Sequence, residues 1–175
     1  MQTSADDLNN IIAREKIRDC LARLARGLDR RDADMVRACY WPDATDDHGV
    51  AVSTVEEFVS WVSPGDPAMI LTLHTLGQSY IEFRGDTGLA ETHVTAYHRV
   101  DVGGQHRDIF LGGRYLDRME KRDTEWRIAH HKMMYDWQND LGPSADFSQG
   151  TFGMPFVSEN PVGAAHGDFS ERFFK

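Results

Sequence analysis

Residues 69–100 read MILTLHTLGQSYIEFRGDTGLAETHVTAYHRV, and this stretch decides the fold. It is two long strand-like runs joined at Arg84-Gly85-Asp86-Thr87. Two more runs follow, separated by Asp101-Val102-Gly103-Gly104 and Arg122-Asp123-Thr124. The predicted strands are 69–83, 88–100, 105–120 and 125–137. Connections this short make neighbours antiparallel, because a parallel return needs a crossover of a dozen residues or more. Gly103-Gly104 reads as a turn, and Gly112-Gly113 as a close approach of backbone within a strand.

Upstream the period changes from two to three and four. Leu8, Ile11, Ile12, Ile17, Cys20, Leu21, Leu24, Ala25 and Leu28 form one apolar face of a long helix. Ser4 reads as its N-cap, with Asp6 and Asp7 at the positive end of the dipole. A short second helix carries Met35, Val36, Ala38 and Cys39, and Trp41-Pro42-Asp43 is expected to break it. Residues 44–52 read as a short strand. A third helix is predicted over 53–62, where Ser53-Thr54-Val55-Glu56 resembles a capping box. Helices followed by a meander of long strands give an α+β layout, a curved sheet wrapped around N-terminal helices. From Leu141 the chain is rich in Gly, Ser, Pro and Asn yet holds Phe147, Phe152, Phe156, Phe169, Phe173 and Phe174. So many aromatics imply a tail docked on its own domain or on a neighbouring subunit. The expected organisation is one domain over 1–140 and an extended tail over 141–175.

With 175 residues, 41% of them hydrophobic, the chain builds one sizeable core. Its net charge of −9 and lack of a basic run argue against nucleic acid and anionic membrane surfaces as partners. The start, Met1-Gln2-Thr3-Ser4-Ala5, has neither the basic nor the apolar region of a secretory signal. Cys20 and Cys39 lie in helical patterns, as buried reduced thiols in a cytoplasm would.

The chain carries no phosphate-binding glycine loop, no His-Glu-x-x-His, no Cys-x-x-Cys and no nucleophile elbow. Ligands on one strand should be an even number of residues apart. His93 and His98, and His130 and His131, should therefore split across the sheet, whereas Asp46 and His48 share a face. Asp46, His48 and His74 are the one metal arrangement this leaves open. Neither a metal nor another cofactor is expected.

Several segments carry a resemblance. Gly27-Leu28-Asp29-Arg30-Arg31-Asp32 closes the first helix, and Pro42-Asp43-Ala44-Thr45-Asp46-Asp47-His48-Gly49 follows the second. His74-Thr75-Leu76-Gly77-Gln78, Ala96-Tyr97-His98-Arg99, Gly112-Gly113-Arg114-Tyr115-Leu116-Asp117-Arg118 and Trp126-Arg127-Ile128-Ala129-His130-His131 mark successive strands, and Tyr135-Asp136-Trp137 ends the sheet. In order and spacing these resemble the SnoaL-like branch of the nuclear transport factor 2-like superfamily over roughly residues 8–138. That resemblance implies a cone: a strongly bent antiparallel sheet closed by helices around a deep pocket. Its members include dehydratases, a dehydrochlorinase, polyketide cyclases, dioxygenase small subunits and lyases of lignin-derived diaryl dimers, so fold alone does not give function.

In the dehydratases and the dehydrochlorinase an Asp at the end of the first helix pairs with a His on a long strand. The matching residues are Asp29 and His74. Elimination beside an acidic C–H needs a base near neutral pH, and imidazole titrates there. The resemblance also implies pocket roles for His48, Asp46, Tyr97, Tyr115 and His131, the last where many relatives carry arginine. Trp126 and Ile128 are expected in the core. The implied activity is a cofactor-independent lyase that eliminates water or a small leaving group, including an aldehyde by C–C cleavage. The substrate would be a hydrophobic aromatic, polyketide or steroid-like molecule. The same dyad serves an isomerase or cyclase, and a non-catalytic binding module or accessory subunit needs no dyad. The dehydratases are trimers, so a homo-oligomer, a trimer first, is expected.

Overall fold

The computed structural model describes residues 5–159 and 161–174. Ser4, the expected first cap, lies outside them. Helix α1 (Ala5–Arg30) is followed by α2 (Ala33–Ala38), β1 (Tyr40–Asp47), β2 (Val52–Thr54) and α3 (Val55–Val62). The long strands are β3 (Met69–Arg84), β4 (Thr87–Val102), β5 (Gln105–Arg122) and β6 (Glu125–Pro143). A small hairpin, β7 (Gly150–Thr151) with β8 (Met154–Pro155), and a last turn, α4 (Ser170–Phe173), complete the chain.

The main sheet runs in the order β2-β1-β6-β5-β4-β3, so β2 and β3 are its edges and it stays open. The meander β3 to β6 is antiparallel throughout. Register shifts between Leu76 and Ser79 in β3, and between Gly112 and Gly113 in β5, let the long strands bend. Ile17, Cys20, Leu21 and Leu24 of α1 are buried against the concave face, with Val36, Phe58, Ile81, Met119, Trp126 and Ile128 in the same core. Each such side chain contributes roughly 1.5–3 kcal/mol by leaving water. Trp126 and Ile128 are thus core residues, as expected. Leu8, Ile11 and Ile12 remain exposed, because α1 begins its contact with the core only at its middle turns. Among the described residues no helix is long and apolar enough to cross a membrane.

Three local expectations need correction. The second helix does end before Trp41-Pro42-Asp43, at Ala38 with Cys39 as its cap, but that segment is no gap in regular structure: it lies inside β1, which runs parallel to β6. The β1–β6 register slips between Tyr40 and Thr45, so the N–H that Pro42 lacks is not needed for pairing. The α3 cap is Thr54 with Glu57, one residue later than read, because Ser53 is held in the ladder opposite Asp46. The sheet continues past Trp137 and Leu141 to Pro143, with Gly142 and Pro143 paired to Asp108 and Arg107. Beyond it, the end of the tail returns to α1: Arg30 Nη1 donates to Ala164 O at 2.9 Å and Arg26 Nη2 to Ser170 O at 3.3 Å. In the hairpin between, Phe152 is 93% exposed on the single chain.

Candidate functional site

Asp29 sits in the last turn of α1, and His74 on the edge strand β3, which α1 crosses. His74 Nδ1 lies 2.7 Å from Asp29 Oδ1. The backbone N–H of His74 also donates to this carboxylate, at 3.0 Å to Oδ2, and the Thr72 hydroxyl donates to Oδ1 at 3.2 Å. The carboxylate already accepts from two other donors, so the shared bond suits a proton on His74 Nδ1. In that neutral tautomer Nε2 carries the lone pair. Asp29 and His74 line a pocket of about 310 Å³ with Ala22, Ala25, Arg26, Arg30 and Leu76.

Strand pairing decides what else shares this face. His74 is opposite Ala96, and Thr72 opposite His98, so His98 stands on the same side. The His74 and His98 rings meet edge to face with centroids 5.8 Å apart. Burial and the neighbouring His74 push His98 down to about 4, against the pull of the Asp29 carboxylate. His98 is therefore a neutral imidazole at neutral pH, a residue the sequence reading did not single out.

This has a consequence for stability. In the unfolded chain His98 takes up a proton near pH 6.5, whereas folded it resists to about 4. Between those values the unfolded state binds more protons, so folding weakens as pH falls, by up to about 1.4 kcal/mol per pH unit from this group. Above pH 6.5 it contributes nothing. Urea unfolding of wild type and His98→Phe at pH 7 and pH 4.5 measures this, and the variant is expected to lose less stability on acidification. Equal losses would mean that His98 is not shielded.

Tyr97 faces the other way. It pairs with Leu73 and Phe110 on the convex side, and its hydroxyl donates to Asp108 at 2.7 Å. Adjacent residues on a strand cannot share a face, so Tyr97 and His98 separate. The same parity splits His93 from His98 and His130 from His131: His130 Nδ1 meets the Thr45 hydroxyl at 2.7 Å, while His131 turns inward.

A second cluster forms where β1, β6 and β5 lie side by side. His131 Nδ1 lies 2.7 Å from Asp117 Oδ1, and both side chains are at most 1% exposed. Burial disfavours a charge on His131, but Asp117, by charge and hydrogen bond, with Asp46 and Asp47 beyond, outweighs it and holds the imidazole above its ordinary range. Asp46 is the register neighbour of His131; its Oδ1 meets His48 Nδ1 at 2.5 Å and its Oδ2 accepts from the Tyr40 hydroxyl at 2.8 Å. The His48 ring stacks on Phe58 at 5.1 Å and lies 5.3 Å from that of His131. Tyr115 packs edge to face on His131 at 4.6 Å. Burial, with Asp117, Asp29 and Asp46 around it, pushes the Tyr115 phenol far up, so it remains a neutral donor.

Tyr97 apart, the predicted residues fall into two groups bridged by Tyr115. Asp29 and His74 join with His98, while Asp46, His48 and His131 gather separately, with Tyr115 feeling the carboxylates of both groups. Asp117 was missed because the resemblance that quoted its strand gave a pocket role to Tyr115 alone. Its parity with Tyr115 was the available signal.

The chain matches the SnoaL-like domain family over residues 9–132. Among curated proteins none matches it. Its fold is similar to that of hexachlorocyclohexane dehydrochlorinase LinA-type3 from Novosphingobium barchaimii, at 20% identity and TM-score 0.71, covering 87% of this chain and 99% of that one. A putative scytalone dehydratase from Novosphingobium aromaticivorans is similar at 17% identity and TM-score 0.67, covering 84% of this chain and 97% of the other. The helix-backed bent sheet and the match across most of its length lead to one conclusion: this protein belongs to the SnoaL-like domain family.

Proposed function

We propose that this protein is a small-molecule lyase whose general base is the Asp29–His74 pair. The observation that carries the reading is the 2.7 Å contact that leaves His74 Nε2 free beside a pocket. In the proposed step, Nε2 takes a proton from a C–H or O–H of the substrate. The released electron pair forms the new double bond as the bond to the leaving group breaks. From a C–H substrate the C–O bond breaks and the departing hydroxide takes a proton, from the imidazolium or the Tyr115 hydroxyl, to leave as water. From an O–H substrate the oxygen pair becomes the C=O of the released aldehyde, and the pair of the broken C–C bond stays on the neighbouring carbon, which takes the proton back from the imidazolium. The imidazolium formed is held by Asp29, which also fixes the tautomer beforehand. Tyr115, kept protonated by its surroundings, is the donor proposed for a substrate oxygen, with His48 and His131 behind it. The lining alanines and Leu76 suit an aromatic, polyketide or steroid-like substrate. A mass-spectrometric screen of aromatic alcohols and diaryl compounds tests this. Wild type should release water or aldehyde from one class, and His74→Ala should not; loss of substrate without any released fragment would favour an isomerase.

The protein is further proposed to act in the cytoplasm as a homo-oligomer, a trimer first. Support comes from the two free buried thiols and from apolar surface left open on the single chain, Leu73, Tyr80, Phe152 and Met154 among it. Removing residues after Ser144 is expected to lower the mass in solution and the melting temperature. Light scattering and thermal melting that match the full chain would show the tail to be a passive appendage.

A further inference from the structure

We propose that Asp46, His48 and His131 form a binding site for a first-row divalent cation, with Asp117 as the residue that orients His131. The site is independent of the Asp29–His74 reading. One carboxylate oxygen and one nitrogen from each imidazole lie within 4.8 Å of one another. Two imidazoles and a carboxylate make a donor set for zinc, iron or cobalt rather than for calcium or magnesium, which take oxygen ligands. Around a four-coordinate ion with bonds of about 2.0–2.1 Å the ligand atoms stand roughly 3.4 Å apart. The cluster therefore needs to close by little more than an ångström, and His48, on the turn after β1, is the member with room to move.

The surroundings are those a metal site requires. Ligand imidazoles almost always give their other nitrogen to a carboxylate or carbonyl. His131 does this with Asp117 through Nδ1, leaving Nε2 for an ion. Asp46 is steadied from behind by the Tyr40 hydroxyl. A second, separate observation is charge. Asp46 is 1% and Asp117 3% exposed, and among the described residues no lysine or arginine pairs with either. Asp117 Oδ2 is buried with no hydrogen-bond partner. The only basic partners of the two carboxylates among the described residues are the imidazoles of His48 and His131, and where those act as neutral ligands the bound cation takes over the neutralisation that a protonated imidazole otherwise gives. His48, partly exposed, marks the open side, where remaining coordination positions face a ligand or water.

Sequence spacing pointed to Asp46 and His48 but assigned the third place to His74. The fold gives His74 to Asp29 and brings His131 alongside instead, through the parallel β1–β6 pairing.

The test uses the full-length chain, free of any polyhistidine tag, stripped with chelator and dialysed. It is titrated with Zn²⁺ by calorimetry and with Co²⁺ by visible absorption. About one ion per chain is expected, with a Co²⁺ spectrum of nitrogen and oxygen ligation. His131→Gln and Asp46→Asn should abolish the binding, and Asp117→Asn should weaken it by about 10–100-fold. Asp29→Asn and His74→Ala should leave it intact, so a failed base assignment does not touch this result. Wild type that takes up no ion at 100-fold excess would overturn the proposal, whatever the variants do. So would an ion that folded His131→Gln and Asp46→Asn bind as tightly as wild type does.

Discussion

His74→Ala is expected to lower kcat by about 10²–10⁴-fold, the usual cost of removing a general base. That corresponds to roughly 3–5 kcal/mol of barrier. KM should change little, because the imidazole is asked to move a proton and not to hold the substrate. Added imidazole should restore part of the lost rate in the alanine variant. Asp29→Asn should also be slow, for a different reason. The amide can present its NH₂ to His74 Nδ1 and so favour the tautomer that carries its proton on Nε2, which is useless as a base. Asp29 also accepts from the His74 backbone and Thr72, so this variant should lose stability as well as rate. Steady-state kinetics on both variants, with urea unfolding beside them, separate the two effects. Normal turnover in both would leave the pair a structural contact only.

The largest effect on stability is expected at Gly113. Here the β5–β6 register shifts, and the backbones close up. A Cβ at Gly113 would stand 1.9 Å from the carbonyl oxygen of Met134, a backbone atom that cannot swing aside. At Gly112 the obstacle is the Trp137 ring, 2.4 Å away, which is part-exposed and able to turn. Gly113→Ala is therefore expected to cost about 3 kcal/mol, the upper end for overpacking. At ~2–4 °C per kcal/mol for a chain of this size, the melting temperature falls by about 6–12 °C. Gly112→Ala should fall much less. Thermal unfolding that ranks the two in the opposite order would contradict the backbone-contact account.

How far the sequence reaches can be judged from such places. The Gly112-Gly113 pair was readable as a close approach, since glycine within an apolar strand has few other reasons. The four long strands and their turns were readable because alternation and turn residues are local signals. The parallel partnership of β1 with β6 was not. It joins residues more than 80 positions apart, and Pro42 argued locally against any strand. That missed pairing is what brings Asp46 next to His131. In the candidate site, Asp29 and His74 were legible only through the family resemblance, since a charge at a helix end and a lone strand histidine are each ordinary. Tyr97 was misplaced for a related reason: resemblance gave its position, but strand parity, counted from the buried Val94 and Ala96, puts it on the opposite face. The same count would have turned His98 inward beside His74.

The tautomer of His74 can be measured without knowing the substrate. Long-range ¹H–¹⁵N NMR on histidine-labelled protein at pH 8, where an ordinary imidazole is neutral, reports which nitrogen carries the proton. The account predicts a protonated Nδ1 and a bare Nε2 for His74, and a change of that pattern in Asp29→Asn. A proton on Nε2 in the wild type, or a spectrum that Asp29→Asn leaves unaltered, would contradict the assignment of this pair as the base.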